Sequence, residues 1–363
     1  MSWADERARF PVFERFAYFN AGTNGPLSRQ TLDAMAELRS WEATHGRAGK
    51  AYFDAMIERS ERVRALFAHQ LGVDVENVAL TESTTQGVHV VVSGLGLGSS
   101  DEVVTTDAEH FGLAGPLVAS NASLRIARVR DVPADDVFEL VRREVTPRTK
   151  LIAISAVSWF DGKVFPWQEL REATGLPVLV DGAQSVGAID VDAAEADFYT
   201  VSAQKWLCGP NSSGALHVRN PEQLTPRLVG YPAQAAYDIA AGTWEPKPGA
   251  ARFDPGFYAP SSSAGLEAAL SGLPDGRFAR AAELTAYCRA ALVDAGHDVV
   301  TEAGQATLLS FRAPGDAAEA SAALYARGVS LRDIPGTGLL RASVGWWNDG
   351  SDLERLVEAL SAG

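Results

Sequence analysis

Short runs of valine, isoleucine and leucine recur through the first two thirds of the chain, and polar residues and glycine follow each run. This pattern is typical of strands that are buried on both faces of a parallel sheet. It predicts strands in "DEVVTTDAEHFG", "KLIAISAVSWFDG" and "LPVLVDGAQSVG", which begin at residues 101, 150 and 176. Helix-like stretches such as "ADDVFELVRREV" and "PWQELREAT" lie between them. The order therefore alternates strand and helix, as in an α/β fold.

Two amphipathic helices are predicted ahead of these strands, in "SRQTLDAMAELRSWEATHG" and "YFDAMIERSERVRALFAHQLG". After the strands, residues 231–265 are rich in proline, glycine, alanine and serine, and we expect one long irregular connection there. The rest of the chain alternates helical patterns with the strand-like runs "ATLLSFRA", "VSLRDI" and "GLLRASVGW". This alternation predicts a compact α+β domain of roughly 90 residues.

The patterns divide the 363 residues into three parts. Residues 1–17 are expected to form an N-terminal arm, residues 18–265 a large domain with a mostly parallel sheet, and residues 266–363 a small C-terminal domain. A chain of this length suits one large α/β domain with a smaller one attached.

Composition narrows the possible functions. With 46% hydrophobic and 21% charged residues, the chain resembles an ordinary soluble globular protein. No apolar run approaches the roughly 18 residues of a membrane helix, and the charged start does not resemble a signal peptide. A net charge of −14 argues against a nucleic acid partner. Cys208 and Cys288 do not make a disulfide framework, so we expect a cytoplasmic protein.

Lysine is rare here, with 5 lysines against 27 arginines. One of them, Lys205, follows the strand-like run "ADFYTVS", and only a primary amine can form a Schiff base. Asp181 ends an apolar run 24 residues earlier, so both residues are expected at the ligand-binding edge of the sheet. Pyridoxal 5'-phosphate (PLP) requires an amine to carry it and a carboxylate beside its ring nitrogen. Taken singly, a surface lysine and a turn-forming aspartate are the ordinary alternatives.

Two further motifs fit the same cofactor. In "LTESTTQGVHVVVSGL", residues 83–85 can cap a helix and present hydroxyls and free N–H groups to a phosphate. The following "VHVVV" by itself favours a strand, because its residues are mostly β-branched. His110 comes just after a predicted strand, where an imidazole can lie flat on the cofactor ring. A lone histidine is more often structural.

Six motifs, in order, resemble the class V aminotransferases among the fold-type I PLP enzymes. That group includes cysteine desulfurases, kynureninase-like enzymes and cysteine/cystine C–S lyases. The motifs are "YFNAGTNGPL" (18–27), "TESTTQG" (81–87), "DAEHFG" (107–112), "VDGAQSVG" (180–187), "SAQKWLCGP" (202–210) and "LRASVGWWND" (340–349). The resemblance implies a large PLP-binding α/β domain, a small C-terminal domain, and a helix rather than a strand at "VHVVV".

The resemblance also assigns the groups that hold the cofactor. Thr84, Thr85 and Ser202 are expected to bind its phosphate. His110 is expected to stack on its ring, and Gln184 to contact the ring hydroxyl.

Further residues are expected to act in catalysis or in substrate binding. Lys205 carries the cofactor and acts as the general base, and Asp181 pairs with the ring nitrogen. Arg341 clamps the substrate carboxylate with its planar guanidinium fork, and Asn20 helps at the entrance. In this family a loop from the second subunit completes the phosphate site, so the resemblance implies a homodimer with residues 231–265 as its interface loop. Ser261 of this loop is expected to reach across the interface and bind the cofactor.

Two departures bear on the reaction. Desulfurases carry a nucleophilic cysteine on the loop before the arginine motif, and "GVSLRDIPGTGLLRASVGW" contains none. Cys208 lies close to Lys205 in sequence, and Cys288 lies in an apolar helical pattern. Trp159 and Phe160 stand where relatives often have an asparagine near the cofactor, which makes the expected pocket more aromatic.

The leading hypothesis is PLP-dependent C–S β-elimination of cysteine, cystine or a related sulfur amino acid. An aminotransferase or an epimerase would use the same residues and is the alternative, whereas a cysteine desulfurase is disfavoured. A non-catalytic PLP-binding protein would not need the complete Lys–Asp–His–Arg set. No metal site and no membrane partner are expected.

Overall fold

Within residues 2–361, which the computed structural model describes, the chain has fourteen strands and eleven α-helices. The strands are β1 (Ala17–Tyr18), β2 (Val78–Thr81), β3 (Glu102–Thr106), β4 (Ser123–Ala127), β5 (Thr149–Ser155), β6 (Val178–Asp181), β7 (Phe198–Ser202), β8 (Gly214–Val218), β9 (Gln234–Asp238), β10 (Thr243–Pro246), β11 (Leu308–Arg312), β12 (Val329–Ser330), β13 (Arg332–Ile334) and β14 (Leu339–Ser343). The helices are α1 (Trp3–Ala8), α2 (Arg29–His45), α3 (Lys50–Leu71), α4 (Thr84–Leu95), α5 (Phe111–Val118), α6 (Val137–Arg143), α7 (Trp167–Thr174), α8 (Pro260–Ser271), α9 (Arg277–Asp294), α10 (Ala317–Ala326) and α11 (Gly350–Ser361).

A seven-stranded sheet forms the centre of the large domain, in the order β2-β8-β7-β6-β5-β3-β4. Strand β8 runs antiparallel to both of its neighbours, and the other neighbouring pairs are parallel. This arrangement confirms the predicted mostly parallel sheet. It also brings the carboxyl ends of β3, β5, β6 and β7 to one edge.

Both faces of this sheet are buried, which explains the continuous apolar runs. Ile152 and Ile154 of β5 pack into one hydrophobic cluster with residues of α3, α6 and α7. Leu151 and Ala153 of the same strand pack into another cluster with residues of α4 and α5. Alternate side chains of a strand point to opposite faces, so a strand covered on both sides must be apolar throughout.

The run "VHVVV" lies in α4, as the resemblance predicted and against its own strand propensity. Ser83 caps this helix, since its hydroxyl accepts a hydrogen bond from the Gln86 N–H at 3.2 Å. Val88 and Val91 are fully buried on the sheet. Burial of a valine side chain is worth about 1.5–3 kcal/mol, which exceeds the few tenths of a kcal/mol of helix propensity that each valine loses.

The prediction of one irregular connection over residues 231–265 was wrong. Strands β9 and β10 form a hairpin there, and α8 begins at Pro260. Proline suits the first turn of a helix, because the N–H that it lacks would have no partner there. Helix α8 packs against α2 and α3, and the boundary predicted after residue 265 falls inside it. The division into domains otherwise stays a prediction.

The C-terminal part of the chain contains a three-stranded antiparallel sheet in the order β11-β14-β13. Helices α9, α10 and α11 share its hydrophobic cluster. The predicted strand "VSLRDI" is interrupted at Leu331, so that it forms β12 and β13. Strand β1 pairs in parallel with β12, and Ala17 and Phe19 enter the same cluster. The start of the chain is therefore part of this core.

Arg7 of α1 ties the N-terminal arm to α11, with two hydrogen bonds to the Asp352 carboxylate at 2.6 and 2.8 Å. Across residues 2–361, no helix is long and apolar enough to cross a membrane.

Candidate active site

The predicted lysine and aspartate meet at the carboxyl edge of the central sheet. Asp181 is the last residue of β6, and Lys205 follows the end of the neighbouring strand β7 by three residues. Burial lowers the pKa of Lys205 to about 8, while the Asp181 carboxylate acts in the opposite direction. Burial likewise raises the pKa of Asp181, and the charge of Lys205 opposes that rise. Each group therefore favours the charged form of the other.

The turn that carries Lys205 is held against the N-terminal motif. The Gly25 N–H donates to the Gln204 carbonyl at 2.7 Å, and a Cβ at residue 25 would lie 2.0 Å from the Lys205 carbonyl oxygen. Glycine is thus required at position 25. Three residues after the lysine, Cys208 has a left-handed backbone with φ of 55°. Its side chain is buried, and burial raises the pKa of its thiol.

Asp181 and Gln184 are both buried under the cleft. The Ala183 N–H donates to Asp181 Oδ1 at 2.9 Å, which orients the carboxylate. Gln184 donates through Nε2 to the Gly22 carbonyl and accepts from Trp206 Nε1, each at 2.9 Å. These two bonds set the orientation of the amide and leave one N–H and one lone pair available to a ligand.

His110 stands at the start of α5 and is partly exposed. Its Nδ1 accepts from the Gly112 N–H at 3.0 Å, so the neutral ring carries its proton on Nε2. The indole of Trp159 meets the imidazole edge to face at 5.1 Å between centroids. Partial burial and the charges of Lys205, Arg332 and Arg341 lower the pKa of His110 to about 4. A neutral, flat imidazole results, which suits stacking on an aromatic ring.

The three predicted phosphate ligands meet at the start of α4. Ser202 Oγ accepts from the Thr84 N–H at 3.4 Å and lies 3.5 Å from the Thr84 hydroxyl. Thr85 Oγ1 approaches the backbone of Gly112, where a Cβ would lie only 2.8 Å away. The positive end of the helix dipole at this point completes a site that favours an anion.

Arg341 lies fully buried beside a second arginine. Its Nη1 donates to the Trp159 carbonyl at 2.6 Å, and its Nη2 donates to Thr23 Oγ1 at 3.3 Å. Arg332 is its register partner on β13 and donates to the same Thr23 oxygen at 3.3 Å. Neither guanidinium forms an ion pair with a residue in the described part of the chain. Burial and the charge of Arg332 lower the pKa of Arg341.

The last two predicted site residues are Asn20 and Ser261. The Asn20 carbonyl accepts from the N–H groups of Thr23 and Asn24, while its side-chain Oδ1 is buried without a partner. Ser261 lies in the first turn of α8, where its hydroxyl accepts from Arg39 Nε at 3.4 Å. Among residues 2–361, no hydrogen bond connects Ser261 with the other predicted site residues, so a cofactor role for it stays a prediction.

The residues gathered at this edge fit PLP. They supply an amine, a buried carboxylate, a flat neutral imidazole and an anion-binding helix start, which match the aldehyde, ring nitrogen, ring face and phosphate of the cofactor. When bound, PLP withdraws electrons from the substrate Cα. Over the described residues 2–361, no group of three or more histidine, cysteine, aspartate or glutamate side chains is placed to hold a metal ion.

A family model described as aminotransferase class-V matches residues 17–356 of the chain. The chain belongs to this family. The fold-type I architecture and the PLP-dependent enzyme class expected from the sequence are thereby confirmed, with PLP as the cofactor. The role of each individual residue stays a prediction.

Relatives of this chain carry names that denote different reactions. The isopenicillin N epimerase of Streptomyces clavuligerus is 27% identical over 402 residues, which cover 99% of this chain and 98% of the relative. A cysteine desulfurase of Serratia proteamaculans is 30% identical over 295 residues, 74% of this chain and 72% of the relative. Among solved structures, the cystine C–S lyase C-DES in complex with its product cysteine persulfide has a TM-score of 0.89 at 25% identity, covering 97% of this chain and 99% of that one.

Sequence reasoning missed three residues of this class-V site, namely Thr23, Glu109 and Arg332. Glu109 directly precedes His110 in its motif, and its position there was the available signal. Arg332 could have been found from the hairpin, because the four-residue loop 335–338 sets β13 against β14 with Arg332 opposite Arg341. Thr23 gave no signal, since only folding brings it to both guanidinium groups.

We expect Lys205→Ala to abolish both turnover and the covalent attachment of PLP, because Lys205 supplies the amine that faces the Asp181 carboxylate. The wild-type protein should be yellow and should retain the cofactor covalently after borohydride reduction, as measured by mass spectrometry. Lys150→Ala, which alters an exposed lysine, is the matched control and should behave as wild type. A reducible linkage that persists in Lys205→Ala would show that the cofactor is attached elsewhere.

Proposed function

We propose that this protein is a PLP-dependent lyase that cleaves the C–S bond of L-cystine, or of a similar sulfur amino acid with two carboxylates, by β-elimination. The pair Arg332 and Arg341 carries the proposal. Two guanidinium groups share the hydroxyl of Thr23 and lack a carboxylate partner in the described chain. Arg341 is buried and Arg332 beside it is half-buried, and like charges this close, with one removed from water, favour anions that compensate them. Cystine carries an α-carboxylate at each end and can supply one to each arginine.

In this proposal the residues of the chain divide the reaction between them. Arg341 holds the α-carboxylate of the half that reacts, and Arg332 holds the carboxylate of the half that leaves. Lys205, once displaced from the cofactor, removes the Cα proton, and its lowered pKa of about 8 makes the free amine available near neutral pH. The sulfur leaves Cβ with the bonding electrons. Hydrolysis of the remaining three-carbon enamine yields pyruvate and ammonia, with cysteine persulfide as the sulfur product.

The cysteines of the chain do not support a desulfurase. The loop 335–338 between β13 and β14 contains proline, glycine and threonine, and no cysteine. Cys208 and Cys288 are both buried. Burial raises the pKa of Cys288 to about 12 and also raises that of Cys208, so neither thiol ionises readily to a sulfur-accepting thiolate.

An epimerase is the second candidate, because the full-length relative from Streptomyces clavuligerus is an isopenicillin N epimerase. It would begin with the same removal of the Cα proton. An epimerase returns the proton and leaves the C–S bond intact, so product analysis separates the two reactions. An aminotransferase would instead form keto acid only when a 2-oxo acid acceptor is supplied.

We expect Arg332→Gln to raise KM for L-cystine about tenfold to a hundredfold, because a charged hydrogen bond is worth about 1.5–3 kcal/mol. With β-chloro-L-alanine, which has a single carboxylate, KM should change less than about threefold, within 0.7 kcal/mol. Steady-state pyruvate assays measure both values. Arg341→Gln is the matched control and should raise KM for both substrates. An equal rise in KM for the two substrates in Arg332→Gln would contradict a site for a second carboxylate.

The double variant Cys208→Ala/Cys288→Ala should retain turnover within a few-fold of wild type, because neither thiol takes part in the proposed reaction. Chromatography of the products from L-cystine should give pyruvate, ammonia and persulfide in both proteins. Alanine that forms with the wild type and disappears in the double variant would instead support a cysteine desulfurase reaction.

We also propose a homodimer in which each chain completes the active site of the other. The segment 228–244 supports it, since Tyr231, Tyr237 and Ile239 are largely exposed. A two-stranded hairpin with no face buried is marginal alone, and exposed apolar side chains of this kind mark interfaces. Leu228, at the start of this segment, and Arg227, just before it, line a cleft with Ser83 and Thr85 at the proposed phosphate site.

Sedimentation of the wild type should therefore show a dimer. Ile239→Asp should weaken that dimer and lower both PLP retention and turnover. Val293→Asp changes a similarly apolar exposed residue on α9 and serves as the control. A wild-type protein that is monomeric and fully active at assay concentrations would contradict the proposal.

A further inference from the structure

One carboxyl group at this site has no part in the reaction described above. Glu109 lies between the end of β3 and His110. Its Oε1 accepts from the Thr106 hydroxyl at 2.7 Å, and its Oε2 accepts from the Ser155 N–H at 3.1 Å and from the Ser155 hydroxyl. In the described part of the chain no cation forms an ion pair with it. Glu109 is thus firmly bound and has no compensating positive charge.

Ser155 connects this carboxyl group with Asp181. Ser155 ends β5 and Asp181 ends β6, and the two are register partners in the sheet. Neighbouring strands lie about 4.8 Å apart, and register partners direct their side chains to the same face. Burial, together with the negative charge of Asp181, raises the pKa of Glu109 to about 7. The other charged group that faces Asp181 is Lys205, on the turn after β7.

Glu102 shows what an ordinary buried carboxylate requires in this fold. It lies at the opposite end of the same strand β3, is buried, and accepts from the Thr146 hydroxyl. Unlike Glu109, it also forms an ion pair with an arginine, Arg148. A carboxylate that is largely withdrawn from water is destabilised when no cation faces it, and a glutamine could keep the bonds from Ser155 through its one oxygen without carrying the charge. The charge of Glu109 therefore calls for a cation that the polypeptide does not supply.

We propose that Glu109 is a positioning residue for the cofactor, which anchors the His110 segment to β5 and places a second carboxyl group behind Asp181. Two carboxyl groups, rather than Asp181 alone, would then hold the proton on the ring nitrogen of PLP. A negative charge close to a basic nitrogen favours its protonated form. The proposal rests on the proposed roles of Asp181, His110 and Lys205, and it applies whichever reaction the enzyme catalyses.

The test is a pH titration of the visible absorbance of the PLP-loaded protein, with the affinity for PLP measured on the cofactor-free protein. Glu109→Gln keeps the shape and removes the charge. We expect its absorbance midpoint to fall by about half to one pH unit, because loss of a nearby negative charge lowers the pKa of the cofactor nitrogens. Its dissociation constant for PLP should rise about tenfold, which corresponds to about 1.4 kcal/mol.

Two further variants separate this effect from a general loss of structure. Thr106→Val removes one hydrogen-bond donor to the Glu109 carboxylate, so Glu109 ionises at higher pH. The absorbance midpoint should then fall by a smaller amount than in Glu109→Gln. Glu102→Gln removes a buried carboxylate at the start of β3 and should leave the midpoint unchanged, whatever it does to thermal stability.

An unchanged midpoint and an unchanged PLP affinity in Glu109→Gln would overturn the proposal. An equal shift in Glu102→Gln would overturn it as well, because the effect would then not depend on proximity to Asp181. If Glu109→Gln does not fold, a wild-type midpoint in Thr106→Val is decisive against it. An error in the assignment of Lys205 as the attachment site would be recognised separately, because a borohydride-reducible linkage to PLP would then persist in Lys205→Ala.

Discussion

The contact between Gly25 and the main chain at Lys205 is the constraint on which the arrangement of the active site depends. At this contact the backbones are so close that a single methyl group at residue 25 would collide with the Lys205 carbonyl. The same N-terminal segment supplies the Gly22 carbonyl to Gln184 and the Thr23 hydroxyl to the arginines. One short loop therefore positions Lys205, Gln184 and the two arginines relative to one another.

Charge is distributed unevenly across the site. Asp181 and Glu109 lie on the side where the ring nitrogen of the cofactor is expected, whereas Arg332 and Arg341 lie on the side proposed for the substrate carboxylates. Lys205 interacts with both sets, since Asp181 raises its pKa and the two arginines lower it. This separation favours electron withdrawal from the substrate toward the ring, because cations hold the anionic ends of the substrate and carboxylates stabilise a protonated ring nitrogen.

The C-terminal three-stranded sheet contributes directly to the site through β14. Arg341 belongs to this strand, yet it donates to the carbonyl of Trp159 in the loop after the central strand β5. The Thr301 hydroxyl donates to the Asp161 carbonyl at 2.7 Å, and the Ser310 hydroxyl donates to the Phe160 carbonyl. The loop after β5 is thus held on one side by the C-terminal part of the chain, while the indole of Trp159 contacts His110.

The sequence by itself determined the central strands and the placement of Asp181 and Lys205 at one edge of the sheet. Strands such as β5 and β6 are covered on both faces, so continuous apolar runs reveal them, and Asp181 and Lys205 follow from their positions at strand ends. The family motifs added the helix at "VHVVV", which local propensity contradicts. Only the tertiary structure decided the exposed hairpin β9–β10 and the neighbours of Arg332 and Glu109. Strand register and the direction of side chains between distant segments depend on packing across the whole domain, and no local pattern of residues encodes them.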